Sequence, residues 1–506
     1  MTEAFRTYSH EHGGRVVLLF LLFLLALYNL ATSGLNSFAI VCVIPLIIIG
    51  IYFSFKWPYA VFWGLILVNY NIQFFSFNQW LPSGMPLSAY NELFEIALIA
   101  IALIDFKKEQ HWGRSMNLMA FAISLWVLLC ALEVFNDTCS LGINVGAWFT
   151  GFRLMAFQLV YFLLIFSIYI HSPEVLTKYL KIWACLALFS VYWTFKQKYI
   201  GMNPLENARI HAYGSTHFVN GIIRYWSTFS DAANYGCNAA ATSVAFLLIG
   251  LTSKLKKDRL FFIITSFAVL WGMFQSGTRT AIACYFAGLM IYVVLSKSVK
   301  FALPIIIFGL ISFCLLAFTN VGQGNSQIRR MRSALNKDDA SAGVRDINKA
   351  TMAKYLKDAP WGIGIGIGNG DVPARNKYVV MSYIAPDSEY VFMWIHTGII
   401  GVSVFTFSIL LMFTGACWIV LFRLRNKSLI GIGASLCCAF AAIQVGGYLN
   451  QVIFQYPNGL IFFGGLAIVY VLPYLEKDWE IYEQAKVAKL EEKKRLKLEK
   501  KLASRV

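Results

Sequence analysis

Three arginines and one carboxylate are the residues of this sequence whose type and setting could do chemistry. Arg224 opens "RYWSTFSDAANYG" (224–236), Arg279 sits in "SGTRTA" (276–281), Arg345 in "VRDINKATMAKYLKDAP" (344–360), and Asp387 heads "DSEYVFMWIHTGIIG" (387–401). Arg279 stands between "FFIITSFAVLWGMFQ" and "AIACYFAGLMIYVVL" with no acidic residue near it in sequence. A guanidinium at membrane depth costs roughly 2.5–3.5 kcal/mol on insertion scales, so its retention predicts an anionic visitor. Guanidinium groups hold phosphate oxygens bidentately and stay charged at any working pH, which suits a diphosphate leaving group. A carboxylate at the head of the next apolar run suits a general base that takes the proton of an attacking sugar hydroxyl. Arg224, Arg279 and Arg345 are therefore the candidate diphosphate grip, and Asp387, Arg279 and Arg345 the candidate catalytic set. The chemistry they describe together is transfer of a glycan from a lipid diphosphate to a hydroxyl, with cations stabilising the departing charge. Glu389 and His396 are secondary candidates on the same apolar run. Asp387 also reads as a helix N-cap, and His396 as a packed, hydrogen-bonded histidine. Asp387 with Glu389 could hold a divalent cation, but two carboxylates make a thin site without substrate phosphates, so no metal or other cofactor is expected.

The elements that must position these groups are membrane helices. Of 506 residues 58% are hydrophobic and only 14% charged, outside the range of a soluble domain. Apolar runs of about 17 to 22 residues recur along the chain, each long enough to cross a hydrocarbon core as a helix. The expected fold is an all-α polytopic membrane protein with about fourteen spans (about 12–14), near 16–33, 36–54, 58–75, 91–105, 117–134, 153–170, 179–199, 234–252, 259–275, 279–296, 301–319, 388–421, 428–447 and 457–474. The first run follows Arg15 without a small-residue cleavage site and reads as a retained anchor. The ten cysteines lie mostly in apolar runs, with no zinc spacing or disulfide framework. Basic connections at 105–114, 253–259, 296–300 and 422–427 fall on one side of this count with both termini, which the positive-inside rule makes the cytoplasm.

The outer side then holds a 201–233 loop with Arg209 and Arg224, and a long periplasmic loop, 320–387, in which cations outnumber acids. Solvated helix faces explain Arg329, Arg330 and Lys349. In the long loop Val344, Ile347, Met352 and Tyr355 recur at helical spacing up to Pro360. "WGIGIGIGNGD" follows, permits positive φ and close backbone approach, and lacks the Lys-Ser/Thr of a nucleotide loop; a flexible or re-entrant turn is expected. The divisions are 1–219, N-terminal helices; 220–405, the core that holds the candidate residues; 406–475, C-terminal helices; and 476–506, a charged cytosolic helical tail. The net charge of +17 is dispersed over loops on two sides, which does not indicate nucleic acid binding.

The four quoted segments, with the glycine-rich turn, resemble the bacterial O-antigen ligase and O-antigen polymerase superfamily over roughly residues 220 to 405. The resemblance implies a metal-independent, inverting membrane glycosyltransferase of surface polysaccharide assembly. It would use undecaprenyl-diphosphate-linked oligosaccharide at the periplasmic face of the bacterial inner membrane. Its implied acceptor is a second glycan or a lipid-core sugar, and its implied partners are the bilayer and other polysaccharide-assembly proteins. The family's functional arginines carry over to Arg224, Arg279 and Arg345. Where many members have His-Asn this chain has Asp387-Ser388, so the base carries over only as a position, and polymerase is slightly favoured over ligase. The competing reading is a lipid-linked oligosaccharide flippase or other polytopic transporter, for which repeats between halves and charges on many spans are expected.

Overall fold

The computed structural model describes residues 52–82, 84–104, 111–212, 214–219, 221–296, 299–321, 340–368, 370–384 and 386–503, with isolated positions at 17, 21, 23, 24, 28, 50, 324 and 329. The expected spans 16–33 and 36–54 fall largely outside the described residues, as do Arg330 and the side chain of Arg345. Among the described residues nine helices are long and apolar enough to cross a membrane: Pro58–Phe77, Leu87–Ile104, Leu118–Phe135, Val145–Tyr169, Pro173–Ile200, Ala232–Thr252, Glu389–Arg423, Lys427–Leu449 and Gly459–Lys489. Three further helices match expected spans outside that group. Lys256–Gln275 opens on Lys-Lys-Asp-Arg, Arg279–Leu295 has only 17 residues, and Val299–Phe318 contains Pro304.

Local chemistry starts and stops these helices. Asn117, Asp231 and Asn426 each accept two backbone N–H groups as N-caps, and Ser172 caps a helix whose first residue is Pro173. Ala232–Thr252 and Lys427–Leu449 form the buried centre, rich in small residues that let backbones approach closely. A Cβ on Gly288 would lie 3.1 Å from the carbonyl oxygen of Cys438. Among the described residues strand structure is confined to one hairpin, Phe218–Val219 paired antiparallel with Ile222–Ile223.

Connections gather at two ends. At one, Lys254 pairs with Glu483 at 2.7 Å, Glu476 accepts from the amides of Arg425 and Asn426 at 2.7 and 2.6 Å, and the Arg114 guanidinium lies 5.5 Å from the Tyr474 ring. The last helix, Gly464–Ala503, runs unbroken from the apolar core into the charged tail at this end. At the other end the long loops meet. Asn136 Nδ2 donates to Trp361 O at 2.8 Å, Asn376 Nδ2 to Cys139 O at 2.6 Å, and Ser230 Oγ to Gln455 Oε1 at 2.8 Å. The long loop holds the helix Ala340–Leu356, which buries Met352 and Leu356 on a small core with Ile363, Ile367, Tyr378 and Ile395. Ile347, expected on its apolar face, is instead exposed.

Candidate functional site

Two of the three candidate arginines come together. Arg224 leaves the hairpin with its amide on His217 O at 2.8 Å, and its guanidinium donates to Thr278 Oγ1 at 3.0 Å, one residue before Arg279. Thr278 passes the connection on by donating to Ala232 O at 2.7 Å, beside Asp231. Close backbone approach makes this possible, since a Cβ on Gly236 would lie 2.4 Å from Ser276 Oγ and 2.9 Å from Thr278 Cβ. Burial lowers the pKa of Arg224, Asp231 raises it, and the neighbouring charge of Arg279 lowers it again. Two guanidinium groups held within range of mutual repulsion make a concentrated positive site suited to an anion.

The 201–233 loop builds the rest of this cluster. Buried Glu206 accepts from Lys196 Nζ at 2.6 Å, Trp193 Nε1 at 2.9 Å and Gln197 Nε2 at 2.9 Å, which fixes the short helix Pro204–Ala212. That helix sends Arg209 over the Phe77 ring at 3.7 Å and onto Ser230 O. Ser227 takes a φ of 57°, held by Gln197 Oε1 on its amide and by Ser190 O on its hydroxyl. His217 packs against Trp226 with ring centroids 4.4 Å apart and the rings tilted by 46°. Its pKa is pushed down to about 4 by burial and by Arg209, so the imidazole is neutral at neutral pH.

The glycine-rich stretch, expected as a flexible or re-entrant turn, is a backbone wedge set against a helix break. The helix starting at Glu389 breaks at Gly398, where φ is 62°. At the break the amides of Ile363 and Gly364 donate to Ile395 O and His396 O at 2.9 and 3.0 Å, and Ile400 N donates to Pro360 O at 3.2 Å. The wedge thus supplies hydrogen bonds that the broken helix cannot make for itself. A Cβ on Gly398 would lie 2.0 Å from Pro360 O, and one on Gly366 would lie 1.8 Å from Ala147 O. Ile363, Ile365 and Ile367 fill the space between and are buried. His396 Nδ1 lies 3.1 Å from Gly364 O, so the same wedge fixes the imidazole.

A cavity of about 600 Å³ opens beside it. Gly366 and Gly368 of the wedge, Glu389, His396, Gln158 and Gln455 are among its lining. Glu389 is buried and accepts from Ile453 N at 3.1 Å. Asp387 is exposed, and the cavity wall carries Glu389 in its place. The N-cap position of the helix is Ser388, one residue after Asp387, and its hydroxyl donates to Gly447 O at 3.1 Å. The two carboxylates thus sit in unlike surroundings, one exposed and one buried, a poor match to a shared divalent cation.

The loop between the last two spans, "NQVIFQYPN" (450–458), lies outside the sequence motifs and joins the two halves of the site. Gln451, Phe454, Gln455 and Tyr456 line the cavity. Asn450 Nδ2 donates to Thr280 Oγ1 at 2.8 Å, next to Arg279, while Gln455 takes the Ser230 bond beside Asp231. Four polar amides and a proline between two apolar runs are the signal the sequence offers for it. Helix 340–356 places Arg345 on the same loop end, with Lys349 Nζ 5.8 Å from the Tyr448 ring.

Residues 260–406 match the family model described as O-Antigen ligase. The match covers Arg279, Arg345, the wedge, Glu389 and His396, and agrees with the O-antigen ligase and polymerase superfamily indicated by the sequence motifs. The family indicates membrane glycosyl transfer of the ligase or polymerase kind, on a lipid-linked glycan, by a multi-pass inner membrane protein. No curated protein matches the chain.

Proposed function

We propose that this protein transfers a glycan from an undecaprenyl-diphosphate-linked donor to a sugar hydroxyl at the periplasmic face, as a polymerase of O-antigen or a related surface polysaccharide. The observation that carries this reading is the Arg224–Thr278 hydrogen bond at 3.0 Å, which sets a second guanidinium beside Arg279, in a cluster that the 450–458 loop ties to the cavity through Asn450–Thr280 and Ser230–Gln455. Arg224 and Arg279, with Arg345 from the long-loop helix, hold the diphosphate and stabilise its charge as it leaves. The acceptor hydroxyl oxygen attacks the anomeric carbon from the opposite side, the carbon–oxygen bond to the diphosphate breaks, and the configuration inverts. The hydroxyl proton passes to a carboxylate. Glu389 on the cavity wall is better placed for this than exposed Asp387, with His396 near enough in the lining to orient the acceptor. Charge stabilisation comes from arginines in this scheme, which needs no metal. The basic connections around 253–259 and 422–427 support a cytoplasmic tail and a periplasmic arginine end.

Reconstitution of the purified protein in lipid with synthetic undecaprenyl-diphosphate oligosaccharide tests the reading. A ladder of lengthened lipid-linked products is expected. Transfer only after addition of a lipid-core acceptor would make the protein a ligase, and transport of the donor across vesicles without new bonds would make it a flippase.

A further inference from the structure

The early spans carry a buried polar network that the proposed reaction does not use. Glu92 and Glu95 lie on the Leu87–Ile104 helix, where ionisable groups are costly unless they serve a purpose. Arg153 NH1 pairs with Glu92 at 2.7 Å. Gln158 Nε2 is shared between Glu92 Oε1 at 3.4 Å and Glu95 Oε2 at 3.3 Å. Asn91 Nδ2 donates to Glu95 Oε1 at 2.7 Å, and Asn69 Nδ2 donates in turn to Asn91 Oδ1 at 2.9 Å.

The direction of these bonds matters. Gln158 and Asn91 turn their NH2 groups to the glutamate oxygens and Asn69 turns its own to the Asn91 oxygen, since an amide has a donor end and an acceptor end. Gln158 therefore has its Oε1 left for anything entering the cavity, whose wall it forms. Asn69 also borders the cavity, is 1% exposed, and ends the second chain with its Oδ1 unpartnered. A buried acceptor without a donor costs about 1–3 kcal/mol, a cost that a ligand hydroxyl can relieve. Leu154, Met155 and Phe162 add apolar surface to this wall, suited to the carbon face of a pyranose ring.

We propose that this wall is a sugar subsite in which Gln158 and Asn69 accept hydrogen bonds from glycan hydroxyls. The inference rests on the glycosyl-transfer reading and adds to it which sugars fit. Neutral, hydroxyl-rich residues bring donors to the two acceptors, whereas a carboxylate or phosphate brings only further acceptors. The arginine end takes the diphosphate, and the amide end takes the sugar.

Lipid-linked glycan extracted from cells lacking this protein supplies the probe, whatever its sugars are. Mild acid releases the free glycan, whose equilibrium binding to the purified full chain is measured alongside that of undecaprenyl diphosphate. Wild type binds the released glycan, and Gln158→Met and Asn69→Leu, which keep side-chain volume on two separate helices, each weaken it at least tenfold. Both variants bind undecaprenyl diphosphate as wild type does, which also certifies their fold. If Gln158→Met does not fold, Gln158→Asn, which withdraws the acceptor by one methylene, is expected to give the same loss. Released glycan that fails to bind wild type, or binds the variants equally well, overturns the subsite. Failure of undecaprenyl diphosphate to bind wild type counts against the diphosphate reading alone.

Discussion

Arg224 donates a hydrogen bond to Thr278 at 3.0 Å across 54 residues of sequence, which brings its guanidinium alongside Arg279. Thr278 is the fulcrum of the pair, since its hydroxyl also reaches Ala232 O at 2.7 Å. Thr278→Val removes both bonds with little change of volume. Donor KM is expected to rise about five- to tenfold, in line with loss of a hydrogen bond of about 1–1.5 kcal/mol, and kcat to fall with it, since Arg224 both holds the diphosphate and stabilises its departing charge. A wild-type KM would mean that Arg224 is positioned by other contacts.

The carboxylate assignment separates two neighbours. Glu389→Gln keeps the shape and an acceptor for Ile453 N but cannot take a proton, so turnover is expected to fall about 10²- to 10⁴-fold. Asp387→Asn should leave turnover within about threefold, a change of no more than about 0.7 kcal/mol in the barrier. The reverse ranking, read from initial rates with both variants purified and folded, would return the base to Asp387.

The wedge predicts a contrast between glycines. Gly398 has a φ of 62° and no room, since a Cβ would meet Pro360 O at 2.0 Å; Gly370 has a φ of 90° and open space around it. Gly398→Ala is expected to cost more than about 3 kcal/mol and to lower the yield of folded protein, while Gly370→Ala carries only the left-handed penalty of about 1–2 kcal/mol. Thermal unfolding in detergent checks this. Equal melting temperatures would show that the break at Gly398 relaxes freely.

His217 gives a pH dependence. Its folded pKa, about 4, lies below the ordinary 6.5, so the unfolded chain binds the proton more readily. Its contribution to stability is complete above about pH 6.5 and is lost as pH falls toward 4. His217→Gln is expected to flatten that acid limb in a pH series of thermal melts. An unchanged limb would assign it to other groups.

What the sequence made legible was whatever local pattern encodes. Apolar runs located the helices, and isolated cations beside them located Arg224 and Arg279, which the fold sets close enough to repel each other and so to favour an anion between them. The helix at 340–356 followed from spacing, although Ile347 turned outward because the small core beneath it is filled by Met352 and Leu356. The Gly-Ile alternation showed that a backbone would approach closely without showing which one. The partner is a break in a helix about 30 residues later, at Gly398, which no periodicity marks. The 450–458 loop and the Glu92–Gln158–Asn69 network were hidden for a similar reason. Their meaning lies in contacts such as Asn450 with Thr280, 170 residues apart, and in amide directions that only packing fixes.

The central claim is that Arg224 and Arg279 together hold the lipid diphosphate. Its most direct test is the affinity of the purified protein for undecaprenyl diphosphate, compared among wild type, Arg224→Ala, Arg279→Ala and the double variant at fixed salt. Each single substitution is predicted to weaken binding at least tenfold, about 1.4 kcal/mol, and the double variant by less than the product of the two, because the groups act on one ligand. Wild-type affinity in both single variants would contradict the account.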